Sequence, residues 1–155
     1  TLNRRYNDGY TFFSVRANHG VKPKNQDYAY AILPGANASQ TSEYASAPSV
    51  EVLANNNSLH AVKDNETGII GANVFKACEL EGIKFLVPCA ILYTYNRGVY
   101  DINISDPTLT QSELSLEFPT NVSVSGEYAA AHENVVTVDV SSLKGKTYQL
   151  TVTEI

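Results

Sequence analysis

Short segments in which apolar and polar residues alternate, separated by turns, make up most of this 155-residue sequence. In the segment Val99–Ile104, for example, Tyr100, Ile102 and Ile104 alternate with polar residues. Every second residue of a strand lies on the same face, so this period indicates strands with one buried and one exposed face. We predict further strands at residues 50–52, 59–62, 69–75, 83–87, 91–95, 113–118, 136–140 and 148–152. Many short strands with a turn about every 8–12 residues predict an all-β fold, an antiparallel β-sandwich.

Turn residues connect some of these strands into predicted hairpins. Asn96-Arg-Gly98 joins the strand at 91–95 to the one that follows it, and Leu143-Lys-Gly-Lys146 joins 136–140 to 148–152. Asn and Gly tolerate positive φ, which tight hairpin turns require. We therefore predict a hairpin at each of these two places.

An earlier pair of strands is predicted before the series begins. Alternation indicates strands at Tyr10–Asn18 and at Tyr28–Leu33. Between them, Gly20 can adopt positive φ, and Pro23 fixes φ and donates no hydrogen bond. Two strands joined by a long basic hairpin are the prediction for this part of the chain.

Residues Ala36–Ala47 contain the one plausible helix. Ser39 is a suitable N-cap, and Pro48 prevents the helix from continuing. A helix of about two turns is too short to anchor a core. Residues 46–49 also resemble a boundary between two β units, so we predict one short helix at most, next to a domain boundary.

The charge of the chain is unevenly distributed, although the net charge is −5. Residues 1–24 hold five basic side chains and one acidic one, whereas residues 25–155 hold six basic and fifteen acidic ones. A polyanionic glycan would be drawn to the first segment and repelled by the second, although solvated loops and strand faces explain the same charges.

The acidic bulk excludes a nucleic-acid surface, and no apolar run approaches the roughly 18 residues of a membrane span. The absence of Met predicts a piece of a longer protein.

Cysteines and histidines give no catalytic or metal motif. Cys78 and Cys89 match no metal-ligand spacing, and they lie on neighbouring predicted strands. A disulfide and two buried free thiols are both compatible with this placement, and we expect the thiols. His19 precedes a glycine in a turn, His60 lies within a strand, and His132 lies in a loop. We therefore predict no catalytic residue, no metal ligand and no cofactor in this chain.

A motif within the early pair of strands resembles a known family. The pattern His-Gly-x-x-Pro-x-x-x-x-Tyr-x-Tyr-x-x-x-Pro, from His19 to Pro34, is similar to a segment of the family 8 polysaccharide lyases. These hyaluronate, chondroitin and xanthan lyases cut acidic polysaccharides by β-elimination. The likeness extends in order through Glu51–Asn55, His60–Val62, Gly71–Phe75, Val87–Cys89 and Ser105–Thr108.

The resemblance implies a domain organisation and a function. Residues 1–48 would be the last strands of a central β-supersandwich domain, and residues 49–155 the C-terminal β-sandwich domain. The family's catalytic Asn, His and Tyr belong to a helical domain that precedes the β domains, so this chain alone would be inactive. Its partners would be that catalytic helical domain of the same parent and, through the parent, an acidic polysaccharide. The parent would be a secreted or periplasmic bacterial enzyme.

Two functions other than support of a lyase fit the residues as well. Predicted contacts with an acidic glycan fall on six residues of the early pair of strands: Arg16, His19, Lys22, Lys24, Tyr28 and Tyr30. The alternative is a stand-alone carbohydrate-binding module, in which the pair Tyr28 and Tyr30 or the pair Tyr93 and Tyr95 stacks on sugar rings. A secreted adhesion-type sandwich would show neither property. Tyrosines at such positions more often pack in a core or on a strand face.

Overall fold

A computed structural model describes residues 14, 16–24 and 26–155 of the chain. The chain divides into two compact units, Thr1–Ile32 and Leu33–Ile155. The strand predicted at Tyr10–Asn18 lies largely outside the described residues. Residues 26–33 do not form the second predicted strand, and Tyr28, Tyr30 and Ile32 are mostly exposed there. Alternation alone does not make a strand, because a strand also needs a neighbouring strand to which its backbone groups can bond.

The second unit consists of one helix followed by twelve strands. The helix α1 spans Ala38–Ser46. The strands are β1 Val50–Asn55, β2 Leu59–Asp64, β3 Ile70–Val74, β4 Cys78–Leu80, β5 Ile83–Phe85, β6 Cys89–Asn96, β7 Val99–Ser105, β8 Glu113–Glu117, β9 Val122–Ser125, β10 Ala129–His132, β11 Val135–Asp139 and β12 Tyr148–Glu154.

These strands form two antiparallel sheets that enclose one core. The seven-stranded sheet has the order β1-β2-β3-β6-β7-β12-β9, and the five-stranded sheet has the order β10-β11-β8-β5-β4. Alternate residues of both sheets make up a single buried cluster, which contains Ile102 and Val152 from one sheet and Phe85, Leu116 and Val136 from the other. The predicted antiparallel β-sandwich is confirmed.

One predicted hairpin is confirmed and the other is wrong. β6 pairs with β7, and Arg97 and Gly98 in the turn have φ of 48° and 83°. β11 and β12, however, lie in different sheets, so residues 140–147 cross the sandwich instead of forming a hairpin. The alternating pattern places both strands correctly, but it does not specify the partner of each strand.

Helix α1 lies where it was predicted, but Ser39 is not its N-cap. Asn37 precedes the helix, and its Oδ1 accepts a hydrogen bond from the Gln40 amide at 3.0 Å. The Gln40 side chain accepts one from the Asn37 amide at 2.9 Å, which completes a capping box. Two reciprocal bonds favour Asn37 over Ser39, which lies inside the first turn. No residue of the helix is buried, so the helix adds nothing to the core.

A buried carboxylate organises the loop between β7 and β8. Asp106 is 3% exposed, and its oxygens accept hydrogen bonds from the amides of Thr108, Thr110 and Gln111, the Thr108 hydroxyl and the Gln111 side chain. Gln111 also donates to the Pro88 carbonyl at 2.7 Å. Burial raises the pKa of Asp106, but the hydrogen bonds from Thr108 and Gln111 outweigh burial and hold this pKa well below its usual value.

The two cysteines are free, and they do not lie on neighbouring strands. Cys78 begins β4 in one sheet and Cys89 begins β6 in the other, because the chain crosses the sandwich at residues 75–77 and again at 86–88. Cys89 is buried and Cys78 is half-buried. Burial raises the pKa of Cys89 to about 12, so this thiol stays protonated and behaves as a small apolar side chain.

In the described part of the chain, no helix combines the length and apolarity that a bilayer span requires.

Candidate functional site

A turn in the first unit presents two of the predicted cationic residues. Gly20 has φ of +80°, and its amide donates to Asn18 Oδ1 at 2.9 Å. Lys22 follows with φ of 54°. The positive φ predicted for Gly20 is confirmed. The turn leaves Lys22 and Lys24 exposed to solvent.

Three predicted site residues form an exposed row of aromatic rings. The rings of Tyr28 and Tyr30 stack with their centroids 6.3 Å apart and their planes 13° apart. The His19 ring lies 6.4 Å from that of Tyr28, at 35°. All three side chains are exposed. We call His19, Tyr28 and Tyr30 the aromatic row.

The aromatic row and the cations of the same segment offer two kinds of contact. Flat rings provide apolar faces, while the exposed side chains of Arg16, Lys22 and Lys24 can pair with carboxylate or sulfate groups. The structure brings the three rings together, and it places the three cations on the surface of the same segment. The row is open to solvent, which favours reversible surface contact over proton transfer in a water-excluded site.

The second tyrosine pair is not a pair of stacking platforms. Tyr93 is 2% exposed, and its hydroxyl has no hydrogen-bond partner among the described residues. Tyr95 is half-exposed, and its ring lies 4.6 Å from that of Tyr100. The hydroxyls of Tyr95 and Tyr100 donate to the two carboxylate oxygens of Glu154 at 3.3 and 3.1 Å. Burial, followed by the bond to Glu154 and its charge, raises the pKa of Tyr100 to about 12.

Sequence reasoning missed this tyrosine–carboxylate cluster. Glu154 lies 59 residues from Tyr95 and 54 from Tyr100. The pairing of β7 with β12 brings them together, and no local pattern shows that pairing. The approach of the His19 ring to the Tyr28 ring was also missed, because no sequence pattern shows which rings lie together.

The other two histidines are exposed and lie on strands. His60 is on the solvent side of β2. The centroid of its ring lies 5.0 Å from that of Phe75, and the two rings are nearly perpendicular. The prediction of His60 as a strand residue is confirmed. His132 ends β10, paired with Val135, and is not in a loop as predicted. This strand could not be recognised because Ala129-Ala-Ala131 has no alternation.

Comparison with known proteins gives a consistent set of relatives. Residues 51–115 match the family described as polysaccharide lyase family 8, C-terminal beta-sandwich domain. The hyaluronate lyase HylB of Enterococcus faecalis is 31% identical over 122 residues, which cover 77% of this chain and 12% of that protein. Chondroitinase-AC of Pedobacter heparinus is 34% identical over 99 residues, which cover 61% of this chain and 14% of that protein. The chain therefore spans only a small part of the curated relatives that it matches.

Solved structures show the same fold. A chondroitin AC lyase of Streptomyces coelicolor A3 superposes with a TM-score of 0.72 at 22% identity, over 88% of this chain and 19% of that one. A xanthan lyase of Paenibacillus superposes with a TM-score of 0.64 at 19% identity, over 79% of this chain and 13% of that one. The structure of the Streptomyces enzyme has also been solved in complex with chondroitin sulphate.

Proposed function

Because the chain belongs to polysaccharide lyase family 8 through its C-terminal β-sandwich domain, we propose that it is the non-catalytic C-terminal β region of such an enzyme. The parent lyase would depolymerise an acidic polysaccharide such as chondroitin or hyaluronan by β-elimination. The match of residues 51–115 to the family's C-terminal domain carries this proposal. Residues 1–48 would then be the last strands of the parent's central β-supersandwich domain, and residues 49–155 its C-terminal domain.

The chemistry of the second unit supports a structural role. β-Elimination needs a base positioned at the proton to be removed and an acid positioned at the leaving oxygen, in hydrogen-bond reach of the bound sugar. His60 and His132 are exposed on separate sheets, and Asp106 is engaged by the amides of its own loop. We therefore assign bond cleavage to the rest of the parent enzyme, which would work outside the bacterial cytoplasm, where its polymeric substrate occurs.

The chain alone is expected to produce no unsaturated uronate from chondroitin or hyaluronan. The measurement is the ultraviolet absorbance of the new carbon–carbon double bond during incubation of each polysaccharide with the isolated chain. The full-length lyase on the same substrates provides the positive control. Turnover by the isolated chain that rises in proportion to its concentration contradicts the proposed role.

We further propose that the first unit contributes contacts with the glycan. The aromatic row would offer ring faces to sugar rings, and Arg16, Lys22 and Lys24 would attract their acidic groups. The support is the stacking of Tyr28 on Tyr30 and the exposure of all six side chains. Long-range attraction between these cations and a polyanion weakens as salt screens it, so binding would be strongest at low ionic strength.

Tyr30→Ala and Lys22→Gln are each expected to weaken binding of chondroitin sulfate oligosaccharides to the isolated chain. The ring loses its apolar contact with a sugar, and the lysine loses one exposed ion pair, so we expect about a threefold loss for each change. Isothermal titration calorimetry at low salt measures the dissociation constants. Matched controls in the second unit are Tyr128→Ala and Lys144→Gln, which should bind as the unchanged chain does. Equal binding by all four variants removes the first unit from glycan contact.

A further inference from the structure

One row of residues across the outer face of the seven-stranded sheet is apolar at one end and polar at the other. The inner face packs on the core, and an outer face that meets water is ordinarily polar. Strand register places six residues in one row across this outer face, because directly paired residues share a face. The row contains, in order, Val52, Val62, Gly71, Leu92, Asn103 and Gln149.

The first four positions of this row form an exposed apolar surface. Val52, Val62 and Leu92 are 47%, 43% and 53% exposed. Val50 lies two residues from Val52 on the same strand face and is also exposed. We call Val50, Val52, Val62 and Leu92, together with Gly71, the outer apolar strip.

Gly71 makes the strip continuous. A Cβ at this position would lie 2.9 Å from Leu92 Cδ2 and 4.0 Å from Val62 Cγ2. The side chains of Leu92 and Val62 therefore extend over the bare backbone of β3 from the strands on either side. β1, β2, β3 and β6 thus present an apolar row one residue wide to solvent, and the exposed side chains of His60 and Asn73 border it on the same face.

The other half of the row is polar. Asn103 and Gln149 continue the row, and Asp101 and Thr151 pair beside them, with the Thr151 hydroxyl donating to Asp101 Oδ1 at 3.1 Å. In this row, exposed apolar side chains therefore lie on β1, β2 and β6 alone. A contiguous exposed apolar surface with a polar border is typical of a surface that another protein surface covers.

We propose that the outer apolar strip is the surface on which the preceding part of the parent lyase docks. This rests on the proposed function, because it is the lyase that supplies the partner. The chain spans 12–14% of three curated relatives, so most of such an enzyme lies outside it. The strip begins at the edge strand β1, which the chain enters directly from α1 through Pro48 and Ser49. The chain therefore enters the sheet at the strand on which the strip begins.

Thiol labelling tests this docking surface with a matched pair of positions. Leu92→Cys and Asn103→Cys place a thiol on two residues that are direct cross-strand partners, one in each half of the row. Maleimide labelling of each is timed in the isolated chain and in the full-length protein, with labelled peptides resolved by mass spectrometry from those of Cys78 and Cys89. We expect labelling at position 92 to be at least tenfold slower in the full-length protein than in the isolated chain. The labelling rate at position 103 should differ less than twofold between the two.

Three results overturn the proposal. One is labelling at position 92 that is as fast in the full-length protein as in the isolated chain. Another is equal slowing at both positions. The third is slowing at position 92 in the isolated chain that increases with its concentration, because a second copy would then occupy the strip. Lyase activity of the full-length protein is measured separately, so failure of the proposed function is distinguishable from failure of the docking surface.

Discussion

Phe85→Ala is expected to lower the free energy of unfolding of the sandwich by about 4 kcal/mol, in the range typical of large-to-small changes in a core. Phe85 is fully buried on β5, which lies between β4 and β8 in the five-stranded sheet. Removing its ring forfeits the burial of the ring and leaves a cavity that neighbouring side chains fill only in part. Urea unfolding of the isolated chain measures the loss as a lower midpoint at an unchanged slope.

A matched control separates core burial from the mere loss of a phenyl ring. Phe75→Ala makes the same chemical change at a half-exposed position that touches His60, and should cost at most about 1 kcal/mol. Phe85→Leu, with an expected cost of about 1.5 kcal/mol, remains measurable if the alanine variant does not fold. Equal costs at positions 75 and 85 are incompatible with the core described above.

Asp106→Asn is expected to lower the free energy of unfolding by about 3 kcal/mol. The carboxylate accepts five hydrogen bonds from the loop that follows it. An amide of the same shape keeps one acceptor oxygen and turns two N–H groups toward backbone donors. The same urea titration measures the change. Asp101→Asn, which alters an exposed carboxylate bonded to Thr151, is the matched control and should change stability little. Similar losses for both variants would contradict the role of Asp106.

The contribution of Asp106 also depends on pH. Its pKa in the folded chain lies below the ordinary value of 3.8, because the hydrogen bonds outweigh burial. Its contribution is therefore fully present above the unfolded-state pKa and is lost as pH falls below about 4 toward the folded-state pKa. We expect the stability difference between the unchanged chain and Asp106→Asn to be constant near neutral pH and to shrink at acid pH. A difference that is the same at pH 7 and pH 3 would show that the charge is irrelevant.

Alternation along the chain predicts much of the sandwich, because each exposed or buried face depends on nearest neighbours. β7 and β12 were recognised in this way, and the Asn96-Arg-Gly98 turn identified a hairpin. Strand partners are not local: β12 lies between β7 and β9, and β5 pairs with β8. For that reason the second predicted hairpin and the neighbouring positions of Cys78 and Cys89 were wrong.

Residue types at the candidate site were predictable, but their arrangement was not. The aromatic residues and cations of the His19–Pro34 motif stand out in the sequence, yet nothing in it shows that the His19 and Tyr28 rings meet. The outer apolar strip was equally hidden. Val62 and Leu92 read as ordinary strand residues until strand register places them on either side of Gly71.

Asp106→Asn in the full-length enzyme most directly tests whether this domain supports the lyase without taking part in bond cleavage. Turnover of chondroitin and the temperature of irreversible inactivation are measured on the same preparations. We expect an unchanged kcat/KM well below the inactivation temperature, together with inactivation at a lower temperature than in the unchanged enzyme. A reduced kcat/KM with the inactivation temperature unchanged would contradict this expectation, because the domain would then contribute to the chemistry itself.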